Sequence, residues 1–101
     1  MINVLNKHTK GVSGSYVGRG TPLGNPFRAK NETDRERVIV LYRQWLWDRM
    51  REKGSPAAKM LDGLTKTYIR TGKLNLVCWC APKKCHAEII RAAILWKSKQ
   101  R

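Results

Sequence analysis

The residue types best suited to anion binding form a glycine-rich loop near the start of the chain, between Gly18 and Arg28. Its sequence, GRGTPLGNPFR, contains three glycines and two prolines, too many breakers for a helix or a strand. Glycines let the backbone approach a ligand closely, and exposed N–H groups can form an anion-binding nest. Asn25 can hydrogen-bond a base or sugar edge through its amide. The candidate phosphate- or nucleic-acid-binding residues of this loop are Gly18, Arg19, Gly20, Gly24 and Arg28.

The spacing of these glycines matches neither GxGxxG nor GxxxxGK[ST], and no helix is predicted directly after the last glycine. The sequence therefore argues against a standard dinucleotide site or P-loop. Two interpretations stay open: a loop that contacts a ligand or phosphate, and a long turn whose glycines and prolines only fix its shape.

A second polar cluster, CWCAPKKCH, extends from Cys78 to His86. Three thiols and one imidazole can supply a zinc site, although this spacing is unusual for a zinc finger. The candidate metal ligands are Cys78, Cys80, Cys85 and His86. Alternatively, Lys83 and Lys84 beside a helix start lower the pKa of the Cys85 thiol and add to an anion site, with His86 moving a proton. In a third interpretation Cys78 and Cys80 are buried core residues and His86 is a capping side chain.

Carboxylates for acid–base chemistry are scarce, because the chain has only seven acidic residues. Glu88, two residues past His86, is the best candidate for a general base. If the protein is catalytic, the predicted set is His86, Cys85, Asn25 and Glu88. Whether the protein is an enzyme is left open by the sequence.

The surrounding pattern predicts one α/β domain spanning residues 1–101, with a small Rossmann-like sheet of about three strands and three helices in two or three layers. Strands are predicted at residues 2–6 and 74–80, and residues 15–17 form a second short strand or an extended entry to the next loop. Helices are predicted at 34–53, at 56–71 and from 84 or 85 to 97. Thr33 and Glu36 form a capping box for the first helix, while Ser55 and Pro56 begin the second. The order of the elements predicts at least one parallel strand pairing. If the second and last strands are parallel, the loop and the Cys/His turn meet at one edge of the sheet and form a single pocket.

The charge of the chain indicates a polyanionic partner. Of its 101 residues, 21 are Lys or Arg and 7 are Asp or Glu, which gives a net charge of +14. Such a surface attracts nucleic acid, and Trp47 and Trp96 lie off the apolar stripes of their helices, where they can form an exposed stacking platform. No apolar run is long enough for a membrane helix, and nothing near Met1 resembles a secretory signal. The three clustered cysteines do not fit a secreted disulfide framework, so we expect a cytoplasmic protein without a membrane partner.

The two motifs together resemble the domain-of-unknown-function family 4326. The resemblance rests on residues 16–27 and 78–87 and extends to the helix that contains Tyr42 and Trp45. The family motif positions fall on Gly18, Gly20, Pro22, Gly24, Asn25, Pro26, Cys78, Cys80, Pro82, Cys85 and His86. The resemblance implies a stand-alone α/β domain of bacterial or phage origin and implies no particular activity.

Together these patterns predict a small nucleic-acid-binding protein of a bacterium or phage that processes or senses a nucleotide or base where the two clusters meet. The alternatives are a non-catalytic DNA- or RNA-binding accessory factor and a zinc-stabilised interaction module. No cofactor is required by the sequence, although zinc fits one interpretation of the cysteines.

Overall fold

The computed structural model describes residues 2–6, 14–18, 20–28, 30–78 and 86–100. The strands are β1 (Ile2–Asn6), β2 (Ser15–Tyr16) and β3 (Leu74–Cys78), and a short 3-10 helix covers Glu32–Asp34. The α-helices are α1 (Arg35–Arg51), α2 (Pro56–Thr71) and α3 (His86–Lys99). Three strands and three α-helices confirm the predicted α/β class.

The three strands form one parallel sheet in the order β1-β3-β2. Ile2 pairs with Leu74 at one end of β1, and Tyr16 pairs with Val77 on the other side of β3. Because both outer strands run parallel to β3, the carboxyl ends of all three lie at the same edge of the sheet.

The core lies between one face of the sheet and the helices. Leu74, Leu76 and Cys78 alternate along β3 and are buried in the main hydrophobic cluster, which places them on the same face. Each α-helix contacts the other two, so the described elements form two layers. The side chains from the helices that are fully buried in this cluster include Tyr42, Leu46, Leu61, Ile90 and Ile94.

Helix α2 has the ends that its sequence predicts. The Ser55 side chain accepts a hydrogen bond from the Ala58 amide at 3.2 Å, and Pro56 occupies the first helical position. At the other end Gly72 adopts a left-handed conformation, with φ of 77°, and its N–H donates to the Tyr68 carbonyl.

The start of α1 differs from the predicted capping box. Thr33 is not the N-cap: it lies in the 3-10 helix, and its hydroxyl donates to the Asn31 side chain at 2.6 Å. Asn31 Oδ1 also accepts from the Asp34 amide. The Asp34 carboxylate accepts from the Lys30 amide and from the Arg37 guanidinium, so it ties the end of the preceding loop to α1. A side-chain-capped 3-10 turn has replaced the capping box and delayed the helix by one residue.

Leu41 and Ile69 follow the helical spacing of the apolar stripes of α1 and α2, but they are 36% and 46% exposed. The buried face of α1 is narrower than its apolar stripe. Helix α3 is described from His86 and continues to Lys99, two residues beyond its predicted end. The predicted strand end at residues 79–80 lies outside the described residues. No described helix has the length and apolar character needed to cross a bilayer.

Candidate functional site

The glycine loop and the start of α3 meet at the carboxyl edge of the sheet. The Val17 amide donates to the Val77 carbonyl at 3.0 Å, so the chain leaves β2 still paired with β3. Gly18 begins the loop immediately afterwards, and His86 begins α3 eight residues after β3 ends. β2 and β3 are therefore adjacent and parallel, as they must be if the glycine loop and the Cys/His turn form a single pocket.

The buried His86 side chain connects the start of α3 to the start of the glycine loop. Its Nε2 lies 2.6 Å from the Val17 carbonyl oxygen, and its ring packs edge-on against Tyr42 with a centroid distance of 5.2 Å. Because a carbonyl oxygen only accepts hydrogen bonds, Nε2 carries a proton in this contact and donates it to the Val17 carbonyl. The side chain is buried. His86 thus fastens the first turn of α3 to the start of the loop.

Tyr42 holds the middle of the loop from the same side. Its hydroxyl donates to the Leu23 carbonyl at 2.7 Å, and both residues are fully buried. Tyr42 lies on the buried face of α1, and helical spacing alone does not predict this bond. The residue type could have indicated this bond, because the hydroxyl of a buried tyrosine needs a hydrogen-bond partner.

Turns inside the loop explain most of its unusual composition. The Gly18 carbonyl accepts from the Thr21 amide and, at 2.8 Å, from the Thr21 hydroxyl, and the Thr21 carbonyl accepts from the Gly24 amide. Asn25 Oδ1 accepts from the Phe27 amide at 2.9 Å, which forms a further local turn. Gly20 has a φ of +93°, a conformation that favours glycine. These bonds agree with the structural interpretation of the loop, and its role in ligand binding stays a prediction.

The loop has a buried underside and an exposed outer side. Gly18 lies on the underside, where a Cβ atom would collide with the Tyr16 ring. Gly20 and Arg28 are exposed, and Gly24 and Asn25 are partly exposed. The outer side therefore offers glycine backbone and one described guanidinium to a ligand.

Several predicted site residues lie outside the described part of the chain: Arg19, Cys80, Lys83, Lys84 and Cys85. Their predicted roles as phosphate contacts, thiolate or metal ligands stay predictions. Cys78 is described and is fully buried in the main core cluster, as in the interpretation that treats Cys78 and Cys80 as core residues. Within the described ranges, no group of three or more His, Cys, Asp or Glu residues is arranged to hold a metal ion.

Glu88 and His86 lie on different sides of α3. Two residues correspond to about 200° around a helix, and the Glu88 carboxylate is exposed, 3.9 Å from the Arg91 guanidinium. The structure therefore does not bring these two side chains together as an acid–base pair. The predicted role of Glu88 as a general base would need the substrate to reach the outer face of α3.

A cavity of about 240 Å³ lies far from this edge, beside the turn between α1 and α2 and the end of α3. Lys97 and Asp62 border it and form an ion pair at 2.8 Å. None of the predicted catalytic or phosphate-binding residues lines this cavity.

The predicted stacking residues lie on the helical layer. Trp47 of α1 and Trp96 of α3 contact each other with a centroid distance of 5.1 Å and an interplanar angle of 77°. Trp96 is 47% exposed and Trp47 is partly buried. Trp45, by contrast, packs against the core beside Tyr42.

A parallel three-stranded sheet, one helical layer and a loop anchored at the carboxyl edge define a small α/β protein. The chain belongs to the family described as Domain of unknown function (DUF4326), whose model matches residues 4–96. No curated protein and no solved structure matches the chain. The family match confirms the resemblance inferred from the two motifs, and its description names no activity.

Proposed function

We propose that this protein binds nucleic acid. The observation that carries the proposal is the net charge of +14 on 101 residues. A field of this strength attracts polyanions, and each cation that neutralises a phosphate releases a condensed counterion. Nucleic acid is the abundant polyanion of the cytoplasm, so we place the action of the protein in the cytoplasm of a bacterium or a phage-infected host cell.

The ion pairs of the described residues support this proposal, because acids occupy only a minority of the cations. Arg37, Arg49 and Lys97 have carboxylate partners within 2.8 Å. Exposed cations extend over several elements and include Arg28, Lys30, Arg43, Lys66, Arg70 and Lys99. A surface with so many more cations than acids suits a phosphate backbone.

The outer side of the glycine loop is the proposed phosphate contact. Its exposed backbone at Gly20 and the Arg28 guanidinium are of the types that bind phosphate. The bonds of Tyr42 and His86 hold the loop from beneath, so less ordering is needed when a phosphate binds. Arg19, Lys83 and Lys84 belong to the same proposal by sequence.

A second candidate function is the processing or sensing of a nucleotide or base at the carboxyl edge. The observation that favours it is the contact of the α3 start with the loop start, through His86 and Val17. In this proposal Asn25 holds the base or sugar, and Cys85 and His86 supply the chemistry. A non-catalytic accessory factor and a zinc-stabilised module are the competing alternatives.

Fluorescence anisotropy with labelled duplex and single-stranded oligonucleotides tests nucleic-acid binding. For three phosphate contacts, the affinity for duplex should fall about 40-fold between 50 and 200 mM salt. If the protein binds neither oligonucleotide at 50 mM salt, the proposal is overturned.

The loop contact is tested by Arg28→Gln, with Lys66→Gln on α2 as the charge-matched control. We expect Arg28→Gln to weaken binding and to reduce the slope of log affinity against log salt by about 0.9 for duplex. Equal effects of the two variants would show that only the total charge matters and that the loop makes no specific phosphate contact.

Asn25→Ala distinguishes processing from simple binding. If a nucleotide is held at the edge, this variant should lose mononucleotide binding in calorimetry while its affinity for long oligonucleotides changes little. Equal losses of both, with a lower unfolding temperature, would instead mean that Asn25 acts only through its turn with Phe27.

A further inference from the structure

Where α1 lies beside α3, two tryptophan side chains form an aromatic surface outside the main hydrophobic core. Trp47 and Trp96 contact each other edge to face there, and neither belongs to the main hydrophobic cluster or to the side chains packed against it. Almost half of the Trp96 surface is exposed. Of all side chains tryptophan has the largest aromatic face on which a base can stack.

The contact between the two rings fixes their orientation before any ligand arrives. In an edge-to-face pair each ring restricts the rotamers of the other, and both rings are attached to helices rather than to a loop. A ligand that stacks on this surface therefore orders few side chains, which favours affinity.

Three cations lie on the helix faces that carry the aromatic pair. Arg43 and Arg51 are four residues before and after Trp47, so all three share one face of α1, and Lys99 is one turn after Trp96 on α3. The two arginines are separated by about 12 Å along the helix axis. Arg51 approaches Asp48 only to 3.7 Å in an exposed pair, which competes weakly with another anion. We call Trp47, Trp96, Arg43, Arg51 and Lys99 the tryptophan surface.

We propose that the tryptophan surface binds single-stranded nucleic acid, with an unpaired base stacked on Trp96 and neighbouring phosphates on Arg43, Arg51 and Lys99. This inference rests on the proposed nucleic-acid binding and specifies its strand type and location. Unpaired bases expose faces that aromatic side chains can stack against, whereas the bases of a duplex stack on each other.

The charges of the molecule argue for this occupant over a second copy of the chain. Two copies that met at this surface would bring together two molecules of charge +14, and their cations would repel. A nucleic-acid strand instead offers apolar base faces and negative phosphates together, which match the aromatic and cationic parts of the surface.

The test compares a single strand of about 15 thymidines with a duplex of equal length. Loss of one base stack should weaken binding of Trp96→Ala to the single strand at least about 5-fold, and Trp96→Phe should restore most of it. Duplex affinity should change less than twofold. Because Trp96 is half exposed, Trp96→Ala should stay folded, which circular dichroism and a thermal melt can check.

Ile69→Ala is the matched control, because Ile69 is 46% exposed on α2 and lies outside the tryptophan surface. It should leave single-strand affinity unchanged. Arg43→Gln should lower the salt slope for the single strand by about 0.7, and Lys66→Gln on α2 should lower it less.

The outcomes separate this inference from the proposed function. If the protein binds both oligonucleotides and Trp96→Ala weakens neither, or weakens both equally, the tryptophan surface is not a single-strand site, and the general proposal survives. If the protein binds neither oligonucleotide at 50 mM salt, both proposals fail. Concentration-dependent dimerisation that Trp96→Ala abolishes would show that a second copy covers the surface.

Discussion

The carboxyl edge of the sheet and the tryptophan surface differ in a way that residue type alone would not suggest. At the edge, His86 has a side chain suited to acid–base chemistry, yet it is buried and hydrogen-bonded to the Val17 carbonyl. On the helical layer, Trp96 has a large apolar side chain suited to a hydrophobic core, yet it is 47% exposed.

This contrast shows that contacts, more than residue type, separate positioning residues from candidate binding residues. The buried polar groups of the edge have protein partners, as buried polar groups must, and they hold the loop in place. On the tryptophan surface, the Trp47 and Trp96 rings contact each other, and Arg43, Arg51 and Lys99 lie on the same helix faces. The first region is expected to respond to substitution mainly in stability, and the second mainly in binding.

His86→Ala should produce the largest loss of stability. It removes a buried hydrogen bond, leaves the Val17 carbonyl without that donor and opens a cavity beside Tyr42. We expect a loss of about 3 kcal/mol in the free energy of unfolding, measured by urea denaturation. Glu88→Ala, two residues along the same helix, should cost less than about 0.5 kcal/mol. If the two variants were equally stable, the buried His86 side chain would contribute no more to the stability of the fold than the exposed Glu88 side chain.

Tyr42→Phe should have the next largest effect. The variant keeps the ring and removes only the hydroxyl that donates to the Leu23 carbonyl. Because a buried acceptor loses its donor, we expect a loss of about 1.5 kcal/mol. Hydrogen exchange should also accelerate at the Gly24 amide, which closes the adjacent turn. Tyr68→Phe on α2 is the control, and unchanged exchange at Gly24 would mean that the loop holds its shape without Tyr42.

Trp96→Ala should have a smaller effect on stability than either edge variant. An edge-to-face pair contributes about 1 kcal/mol beyond its buried area, and half of this side chain is already in water. Thermal denaturation should therefore shift by only a few degrees. A loss as large as that of His86→Ala would make the pair a structural element of the helical layer and weaken the comparison.

Asp34 should give the smallest effect, since it anchors the loop from the exposed side. Hydrogen bonds from Arg37 and from the Lys30 amide lower the pKa of Asp34 below its ordinary value of 3.8. A carboxylate with a lowered pKa stabilises the folded state above the unfolded pKa, and this contribution disappears as the pH falls toward the folded pKa. The wild type should therefore lose slightly more stability than Asp34→Asn between about pH 5 and about pH 2.5. Parallel pH profiles would show that the ion pair adds nothing to the anchoring of the loop.

Local signals predicted most of the secondary structure. Ser55, Pro56 and Gly72 gave both ends of α2, because caps depend on residues within one turn. The same logic misplaced the start of α1, where Asn31 competes for the amide of Asp34 and forms a 3-10 turn first. For the candidate site, sequence identified the loop, the Cys/His cluster and the two tryptophans, but it did not show which side of each segment is buried.

By itself the sequence determined the α/β class, the charge of +14 and the family, because these follow from periodicity, composition and motif. Only the tertiary structure decided that His86 bonds to a carbonyl 69 residues earlier, that the Tyr42 hydroxyl reaches Leu23, and that Trp47 meets Trp96. Such contacts depend on how strands and helices pack. Periodicity within one element fixes which of its faces is apolar, while the element that lies against that face is chosen by the free energy of the whole core.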